Sequence, residues 1–246
     1  MTRGICEIST GFDYDCCAAY TVFLSQQFTN LPFTIITNLK PEQRNPKWSE
    51  CKNVSFIYVD ENTDNSRHIK HKIYRYSPYD ETIYMDCDSI ITKPGIELVF
   101  DHFNNNNIIL QRYVIWFPKQ KYSRIYQKTV HQFNVQLPLN VMLGGFFIFK
   151  PTNDVINLFE LWDRYWNETG NGRDMPSFSC AVKNSNIKYS MIDASTNFFS
   201  YGMETSCIVK HRSADDDLYK YYQVPLYHIN KKFDTNHKYD WEQIYY

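Results

Sequence analysis

A short apolar run that ends in two aspartates constrains this chain more than any other segment. Ile83, Tyr84 and Met85 predict a buried strand, and Asp86 and Asp88 follow it with one residue between them. In extended backbone the side chains at i and i+2 point to the same face, so these two carboxylates can lie together. Two neighbouring carboxylates repel each other, and a divalent cation such as Mg²⁺ or Mn²⁺ would relieve that repulsion. The segment therefore predicts a strand that ends at a metal site, with a solvated Asp-rich turn as the alternative.

The composition excludes several classes of protein. The 246 residues carry 26 basic and 27 acidic side chains, so no overall charge favours nucleic acid as a partner. No apolar run is long enough to span a bilayer, and the acids Glu7, Asp13 and Asp15 are not typical of a signal peptide. Seven cysteines without paired spacing indicate reduced thiols. We therefore expect a cytoplasmic protein without a membrane span or a nucleic-acid partner.

The order of the predicted elements indicates an open α/β sheet. Residues 4–9, 33–36 and 54–59 predict strands, and residues 15–28 carry apolar side chains at helical spacing. Strand, helix, strand and strand in this order are typical of a βαβ-type sheet. Further strands are predicted at 108–110 and 143–149, and further helices at 67–76, 153–166 and 173–182. No repeat or linker interrupts the chain, which predicts one domain over residues 1–246.

Polar residues follow several of these strands. Ligands of open α/β sheets bind outside the carboxyl ends of the strands, so residues at those ends should converge on one edge. The residues predicted to line this edge are Ser9, Thr10, Tyr14, Thr37, Asn38, Asp86 and Asp88. Gly144 and Gly145, at the start of a later strand, would let the backbone approach a ligand closely, or would simply form a tight turn. The sequence thus predicts a site for a metal and a nucleotide.

Several of these segments match one set of motifs. The apolar strand ending in Asp86 and Asp88 is similar to a leucine-tyrosine-leucine-Asp-x-Asp signature, and the Gly144 strand is similar to an Asn-x-Gly strand. Asp174 opens a segment similar to an Asp-Gln or Asp-Glu-Pro segment. Together they resemble the GT-A-fold nucleotide-sugar glycosyltransferases, and within them family 8, which includes glycogenin and bacterial galactosyltransferases. Divergent viral and bacterial sugar transferases of the same fold match equally well.

The resemblance implies a fold and assigns different ligands to the two halves of the chain. It implies an α/β fold that is a single GT-A domain, Rossmann-like, with a mixed central sheet flanked by helices. Residues 1–100 would form the half that binds nucleotide and metal. Residues 101–246 would form the half that binds the acceptor and the donor sugar.

The resemblance also implies roles for individual residues. Tyr14 would stack on the nucleotide base, while Lys72 and Lys232 would neutralise the diphosphate. Asp86 and Asp88 would hold Mn²⁺ or Mg²⁺. The candidate donor-binding residues are Ser9, Thr10, Tyr14, Thr37, Asn38, Lys72, Asp86, Gly144, Gly145 and Lys232, and the third metal ligand is His228 or, as the alternative, His211.

Two aspartates are candidate catalytic residues. In an inverting enzyme Asp174 would be the general base that takes the proton of the acceptor hydroxyl, and in a retaining one it would hold the donor sugar. A helix N-terminal Asp with no chemistry is the structural alternative for Asp174. Asp193 is the second candidate.

The leading hypothesis is a metal-dependent glycosyltransferase that moves a sugar from a UDP-sugar to a glycan or glycoprotein acceptor. A sugar nucleotidyltransferase is one alternative, but it should carry a basic Gly-rich loop after the first strand, and residues 9–14 contain one Gly and no basic residue. A carbohydrate-binding domain of the same fold without turnover is the other alternative.

Overall fold

The computed structural model describes residues 1–60, 66–112, 120–137, 139–169, 173–192, 198–201 and 207–211. In this part of the chain the helices are α1 (Phe12–Ser25), α2 (Arg67–Lys70), α3 (Ile73–Tyr76), α4 (Gln120–Gln132), α5 (Asn153–Thr169) and α6 (Asp174–Ser185). The strands are β1 (Arg3–Ser9), β2 (Phe33–Thr37), β3 (Val54–Tyr58), β4 (Glu81–Met85), β5 (Ser89–Ile91), β6 (Ile108–Arg112), β7 (Met142–Phe149), β8 (Ser190–Ile192), β9 (Phe199–Tyr201) and β10 (Val209–His211). Short 3₁₀ segments span Pro41–Gln43, Pro46–Glu50 and Ile96–Phe103.

A seven-stranded mixed sheet organises these elements, and its strand order is β3-β2-β1-β4-β7-β6-β8. Strands β3, β2, β1 and β4 are parallel, whereas β7 runs antiparallel to both β4 and β6. The carboxyl ends of the parallel strands therefore meet at one edge, together with the start of β7. A second sheet, in the order β5-β10-β9, begins just after β4. The α/β architecture with a mixed central sheet confirms the predicted fold class.

Two apolar layers cover the sheet. One face packs against α5 and α6 through buried aromatic rings, including Phe147, Trp162 and Phe178. The other face, with Ile5 and Phe146 among its residues, packs under α1 and the Ile96–Phe103 segment. All eight residues of β7 are buried, as expected of a strand covered on both sides. Burial of each Phe ring in these layers stabilises the folded state by about 1.5–3 kcal/mol.

The predicted boundaries differ from the observed ones mainly around residues 67–76. One helix was predicted there, but the chain forms α2 and α3, separated by His71 and Lys72. Lys72 has φ −100° and ψ 5°, outside helical values, and its N–H donates to the carbonyl of Ile69 at 2.8 Å in a tight turn. No helix in the described part of the chain is long and apolar enough to cross a membrane.

Candidate functional site

The loop after β4 presents two carboxylates at the edge where the parallel strands end. The Asp86 N–H donates to the Gly145 carbonyl at 2.9 Å, and the Ser89 N–H donates to the Asp86 carbonyl at 2.8 Å. These bonds fix a turn in which Cys87 is buried while Asp86 and Asp88 are half-buried. The two carboxylates are therefore both accessible from outside the core, but residues 87–88 form a turn and not the extended backbone that the strand pattern predicted.

A buried lysine joins Asp86 to Asp174. Lys70, at the end of α2, is only 3% exposed, and its Nζ lies 2.8 Å from Asp86 Oδ1 and 2.7 Å from Asp174 Oδ2. Burial alone would lower the pKa of Lys70, but the two carboxylates outweigh it and raise that pKa above its ordinary value. The Tyr84 hydroxyl donates to the same Asp86 oxygen at 2.8 Å. The ammonium is thus held permanently charged between two carboxylates.

The sequence motifs indicate Lys72 as the basic residue of the site, but in the structure Lys70 makes the contacts with the two carboxylates. Both lysines belong to one basic run before α3, and nothing local separates them. The fold separates them, since Lys70 reaches the carboxylates while Lys72 is half-buried at the break between α2 and α3. A contact of Lys72 with the donor remains a prediction.

Asp174 is the first residue of α6, and its two carboxyl oxygens make different contacts. Its Oδ1 accepts a hydrogen bond from the Met175 N–H at 3.0 Å. Asp174 therefore also stabilises the N-terminus of α6, as the structural alternative expected. Its Oδ2 contacts Lys70. Burial would raise the pKa of Asp174, but the Lys70 ammonium outweighs burial, with a further contribution from Arg67, and the pKa lies below its ordinary value. Asp174 is therefore a stable anion at this position.

The glycine pair at the start of β7 permits this close packing of charges. A Cβ at Gly145 would lie 2.5 Å from Asp86 Oδ2, and a Cβ at Gly144 would lie 2.9 Å from Asp174 Oδ2. The two glycines lie within β7 and form no tight turn, and the groups that their backbone approaches are the site's own carboxylates. Close approach to a ligand remains a prediction. Each glycine leaves the space that one of these carboxylates needs.

The ends of β1 and β2 bring further predicted residues to the same edge. Ser9 and Thr10 are buried, and their hydroxyl oxygens have no hydrogen-bond partner among the described residues. Asn38 Oδ1 accepts a hydrogen bond from the Gly11 N–H at 2.9 Å, which ties the β2 end to the start of α1. Thr37 is buried, and its hydroxyl accepts a bond from the Leu39 N–H at 3.1 Å.

Tyr14 lies in the first turn of α1, in the same apolar cluster as Cys87. It packs, half-buried, against a small apolar cluster that contains Cys16, Cys17 and Cys87. Cys87 lies between Asp86 and Asp88, so this cluster adjoins the loop that carries the aspartates. This is a suitable position for a base-stacking ring, and stacking itself remains a prediction.

Glu7 is not among the predicted site residues, yet it lies close enough to the same loop to be influenced by the charges of Asp88 and Asp86. It is fully buried in β1, and neither carboxyl oxygen has a hydrogen-bond partner among the described residues. Burial raises its pKa well above the ordinary value, and Asp88 and Asp86 raise it further. A lone acid in the apolar segment of β1 was visible in the sequence and was the signal that could have identified it.

The remaining predicted residues are only partly within the described chain. Asp193, His228 and Lys232 lie outside the described residues. His211 ends β10. The antiparallel register of β10 with β5 pairs His211 with Ser89, the residue that follows Asp88 in the chain. Within the described ranges, no group of three or more His, Cys, Asp or Glu side chains is arranged to hold a metal ion. The third metal ligand remains a prediction.

Comparison with known proteins identifies the fold. No protein-family model and no curated protein sequence matches the chain. Among solved structures, the chain is similar to the bifunctional glycosyltransferase WbbM (TM-score 0.61, 11% identity) over 86% of this chain and 46% of that one. It is similar to mouse xyloside xylosyltransferase 1 (TM-score 0.61, 11% identity) over 87% of this chain and 98% of that one.

A third similar structure is the galactosyltransferase LgtC in complex with donor and acceptor sugar analogues, with a TM-score of 0.57 and 12% identity. The match covers 85% of this chain and 86% of that one. The chain spans less than half the length of WbbM but most of the other two proteins. These matches, with the mixed seven-stranded sheet, show that the chain has the GT-A fold.

Proposed function

We propose that this protein is a metal-dependent glycosyltransferase that moves a sugar from a nucleotide-diphosphate donor, UDP-sugar by preference, to a hydroxyl of a glycan or glycoprotein acceptor. The observation that carries the proposal is the Lys70 ammonium held between Asp86 and Asp174 at the carboxyl edge of the sheet. Ligands of open α/β sheets bind at this edge. Its charged residues are held in fixed positions, as expected of a site prepared for a charged donor.

The nucleoside of the donor would lie over the ends of β1 and β2. Ser9 and Thr10 lie at the end of β1 and would form the floor beneath the nucleoside; their hydroxyls are fully buried and have no partner in the described chain. The Tyr14 ring stands beside the aspartate loop and would stack on the base. Thr37 and Asn38, at the end of β2, complete this side of the site. The preference for uridine rests on the resemblance to family 8.

The residues present fit a divalent cation. Asp86 and Asp88 supply hard oxygen ligands on the accessible side of one loop. Asp86 Oδ1 is already bonded by Lys70 and Tyr84, so Asp88 and the second oxygen of Asp86 would hold the cation, with His228 or His211 as a third ligand. A bound Mn²⁺ or Mg²⁺ would stabilise the negative charge that develops on the leaving diphosphate.

Lys70 and Asp174 would position the donor sugar. The lowered pKa of Asp174 makes it a weak proton acceptor, which favours the role of holding a sugar hydroxyl over the role of general base. Asp193 then remains the candidate base for an inverting reaction. Lys70 fixes the Asp174 carboxylate, and Gly144 keeps the backbone clear of it. Lys72 and Lys232 would neutralise phosphate oxygens as point charges.

Calorimetric titration of UDP and then GDP, with and without Mn²⁺, tests the proposal on the wild type and on Asp88→Ala. We expect micromolar binding of UDP that requires Mn²⁺, weaker binding of GDP, and loss of metal-dependent binding in the variant. Absence of metal-dependent binding of either nucleotide would overturn the transferase proposal. Sugar binding without any need for Mn²⁺, and without release of UDP from UDP-sugars, would identify a non-catalytic carbohydrate-binding domain instead.

A further inference from the structure

A second concave site lies at the opposite edge of the main sheet from Asp86. It has a volume of about 680 Å³ and is lined by the segment before β6, by one face of α5 between residues 154 and 164, and by the end of α6 with the segment that leads to β8. The strand register fixes its position, because Phe149 at the end of β7 pairs with Ile108, and Gly145 at the other end contacts Asp86. At about 3.3 Å per residue, more than about 13 Å of β7 separate the two sites. The cavity is therefore separate from the proposed donor site.

The lining of this cavity is rich in amides. Five asparagines contribute to it, namely Asn105, Asn106, Asn107, Asn157 and Asn186. Asn105 and Asn186 have positive φ angles of 66° and 54°, a conformation that Asn tolerates, so backbone geometry alone accounts for them. It does not account for the other three. An amide both donates and accepts hydrogen bonds, as the hydroxyl of a sugar does.

The charges of the cavity exclude a strongly charged ligand. Asp154 and Glu160 are balanced by Arg164 and Lys188, so two negative and two positive side chains cancel. A phosphate-rich ligand would require an excess of positive charge, which this lining does not provide. The matching ligand is neutral overall and carries many groups that can pair with amides and with charges of both signs.

The lining residues that the structure describes include no aromatic side chain, which argues against a site for an aromatic cofactor. Leu161 and Ile187 are the apolar side chains among the lining residues, and both are half-buried. Sites for drug-like ligands and cofactors are mostly apolar, with few polar groups. Two aliphatic side chains among ten polar ones instead match a molecule with a small C–H face and many hydroxyls. The volume lies within the range of about 300–1,000 Å³ that small-molecule sites occupy.

Part of the lining is already held in position. Asn106 Nδ2 donates to Ser190 Oγ at 3.0 Å, and Asn107 Nδ2 lies 3.3 Å from Asp154 Oδ2. The Asn107 carbonyl accepts a hydrogen bond from the Lys150 N–H at 2.8 Å, which ties the rim to the end of β7. Contacts of this kind lower the entropy that a ligand must remove when it binds.

From the amides, the cancelling charges and the two aliphatic side chains, we infer that this cavity is a binding site for a neutral oligosaccharide. The inference goes beyond the proposed function, since it concerns a site remote from the donor. If the protein extends glycans, a chain anchored here would raise the local concentration of acceptor near the enzyme. Binding itself requires neither nucleotide nor metal, so it can be tested without the transfer reaction.

The test is saturation-transfer NMR of the full chain, without nucleotide or metal, against a panel of neutral di- and trisaccharides of glucose, galactose, xylose and mannose. The test variant combines Asn157→Ala with Lys188→Ala, both at exposed positions of the lining. The matched control combines Asn167→Ala with Lys183→Ala, which lie on α5 and α6 outside the lining. We expect at least one saccharide to bind. The test variant should weaken its affinity tenfold or more, which corresponds to about 1.4 kcal/mol of binding free energy for each tenfold change. The control variant should change the affinity less than twofold.

Three results would overturn the inference. Failure of every saccharide in the panel to bind at millimolar concentration is the first. Equal weakening in the test and control variants would show that binding does not depend on this cavity. Loss of binding in Asp88→Ala, with the test variant unaffected, would place the saccharide at the donor site. Each of these results leaves the UDP titration intact as an independent test of the proposed function.

Discussion

The two edges of the main sheet differ in how deeply their charged side chains are buried and in how those charges are neutralised. At the carboxyl edge Lys70 and Asp174 are buried, and their charges are neutralised by each other and by Asp86. At the opposite edge the polar side chains are exposed or half-buried, and their charges cancel across a cavity open to water. A buried charge that loses its partner is costly, whereas an exposed one is solvated at once.

The energetically unfavourable arrangements of side chains lie at the carboxyl edge. Gly144 and Gly145 leave room for carboxylates that a Cβ would displace, and Glu7 remains buried without a hydrogen-bond partner in the described chain. Arrangements of this kind reduce stability and are typical of functional sites. The opposite edge shows no comparable cost among its described residues. Substitutions at the two edges should therefore differ greatly in their effects.

The largest effect is expected for Lys70→Ala. Removing the ammonium leaves Asp86 and Asp174 facing each other in a largely buried site, so the free energy of unfolding should fall by about 3–5 kcal/mol at neutral pH. Urea denaturation measures this change, and Lys183→Ala at an exposed position of α6 is the control. A loss below about 1 kcal/mol would contradict the view that this edge depends on a paired buried charge.

The pH dependence of Glu7→Gln tests the same edge through its buried acid. Burial, Asp88 and Asp86 raise the pKa of Glu7, so the stability it provides is complete below its unfolded pKa of about 4.3 and is lost as pH rises toward the folded value. Between these two values the wild type should lose about 1.4 kcal/mol per pH unit relative to the variant.

Urea denaturation at several values between about pH 5 and about pH 8 measures this gain of the Glu7→Gln variant over the wild type. Glu168→Gln, at an exposed position of α5, is the control and should follow the wild type at every pH. Parallel stability curves for Glu7→Gln and the wild type would show that Glu7 does not keep a proton in the folded state.

The local pattern of the sequence predicted one part of this edge and missed another. The strand ending in Asp86 and the glycine pair were recognisable because an apolar run, a two-residue spacing and a missing side chain are local properties. Lys70 was missed because Lys72 stands in the same basic run, and only the packing of α2 against β4 and α6 selects between them. Glu7 was missed because its importance depends on Asp88 and Asp86, which lie far from it in sequence.

The overall architecture was more predictable than the site. Apolar periodicity marks most of the strands of the main sheet and its longer helices, although α4, β5, β9 and β10 were not predicted. The order of the predicted elements restricts the ways in which a sheet can be connected. The break at His71 and Lys72 was not predicted, because it has no Gly or Pro to mark it and the turn is closed by backbone hydrogen bonds such as that from the Lys72 N–H to the Ile69 carbonyl. That break positions α2 so that Lys70, its last residue, reaches the site.

A smaller effect is expected for Tyr84→Phe, which removes one donor from Asp86 and leaves the ring in place. The hydroxyl donates to a carboxylate at 2.8 Å, so its loss should cost about 1.5–3 kcal/mol of unfolding free energy. Tyr79→Phe is the control, because its hydroxyl bonds to the neutral Thr34 hydroxyl at 2.8 Å and should cost only about 0.5–1.5 kcal/mol. Equal losses in thermal or urea unfolding would show that the charge on Asp86 adds nothing to the Tyr84 bond.

The smallest effect is expected at the opposite edge, for Asn157→Ala and Lys188→Ala. Both side chains are exposed, and Ala is a better helix former than Asn at a position within α5, so each free energy of unfolding should stay within about 0.5 kcal/mol of the wild type. The same urea series measures it. If either variant lost more than about 1 kcal/mol, the cavity would be part of what stabilises the fold, and the contrast between the two edges would no longer hold. If both remain as stable as the wild type while saccharide binding weakens, the side chains of this edge serve the ligand rather than the fold.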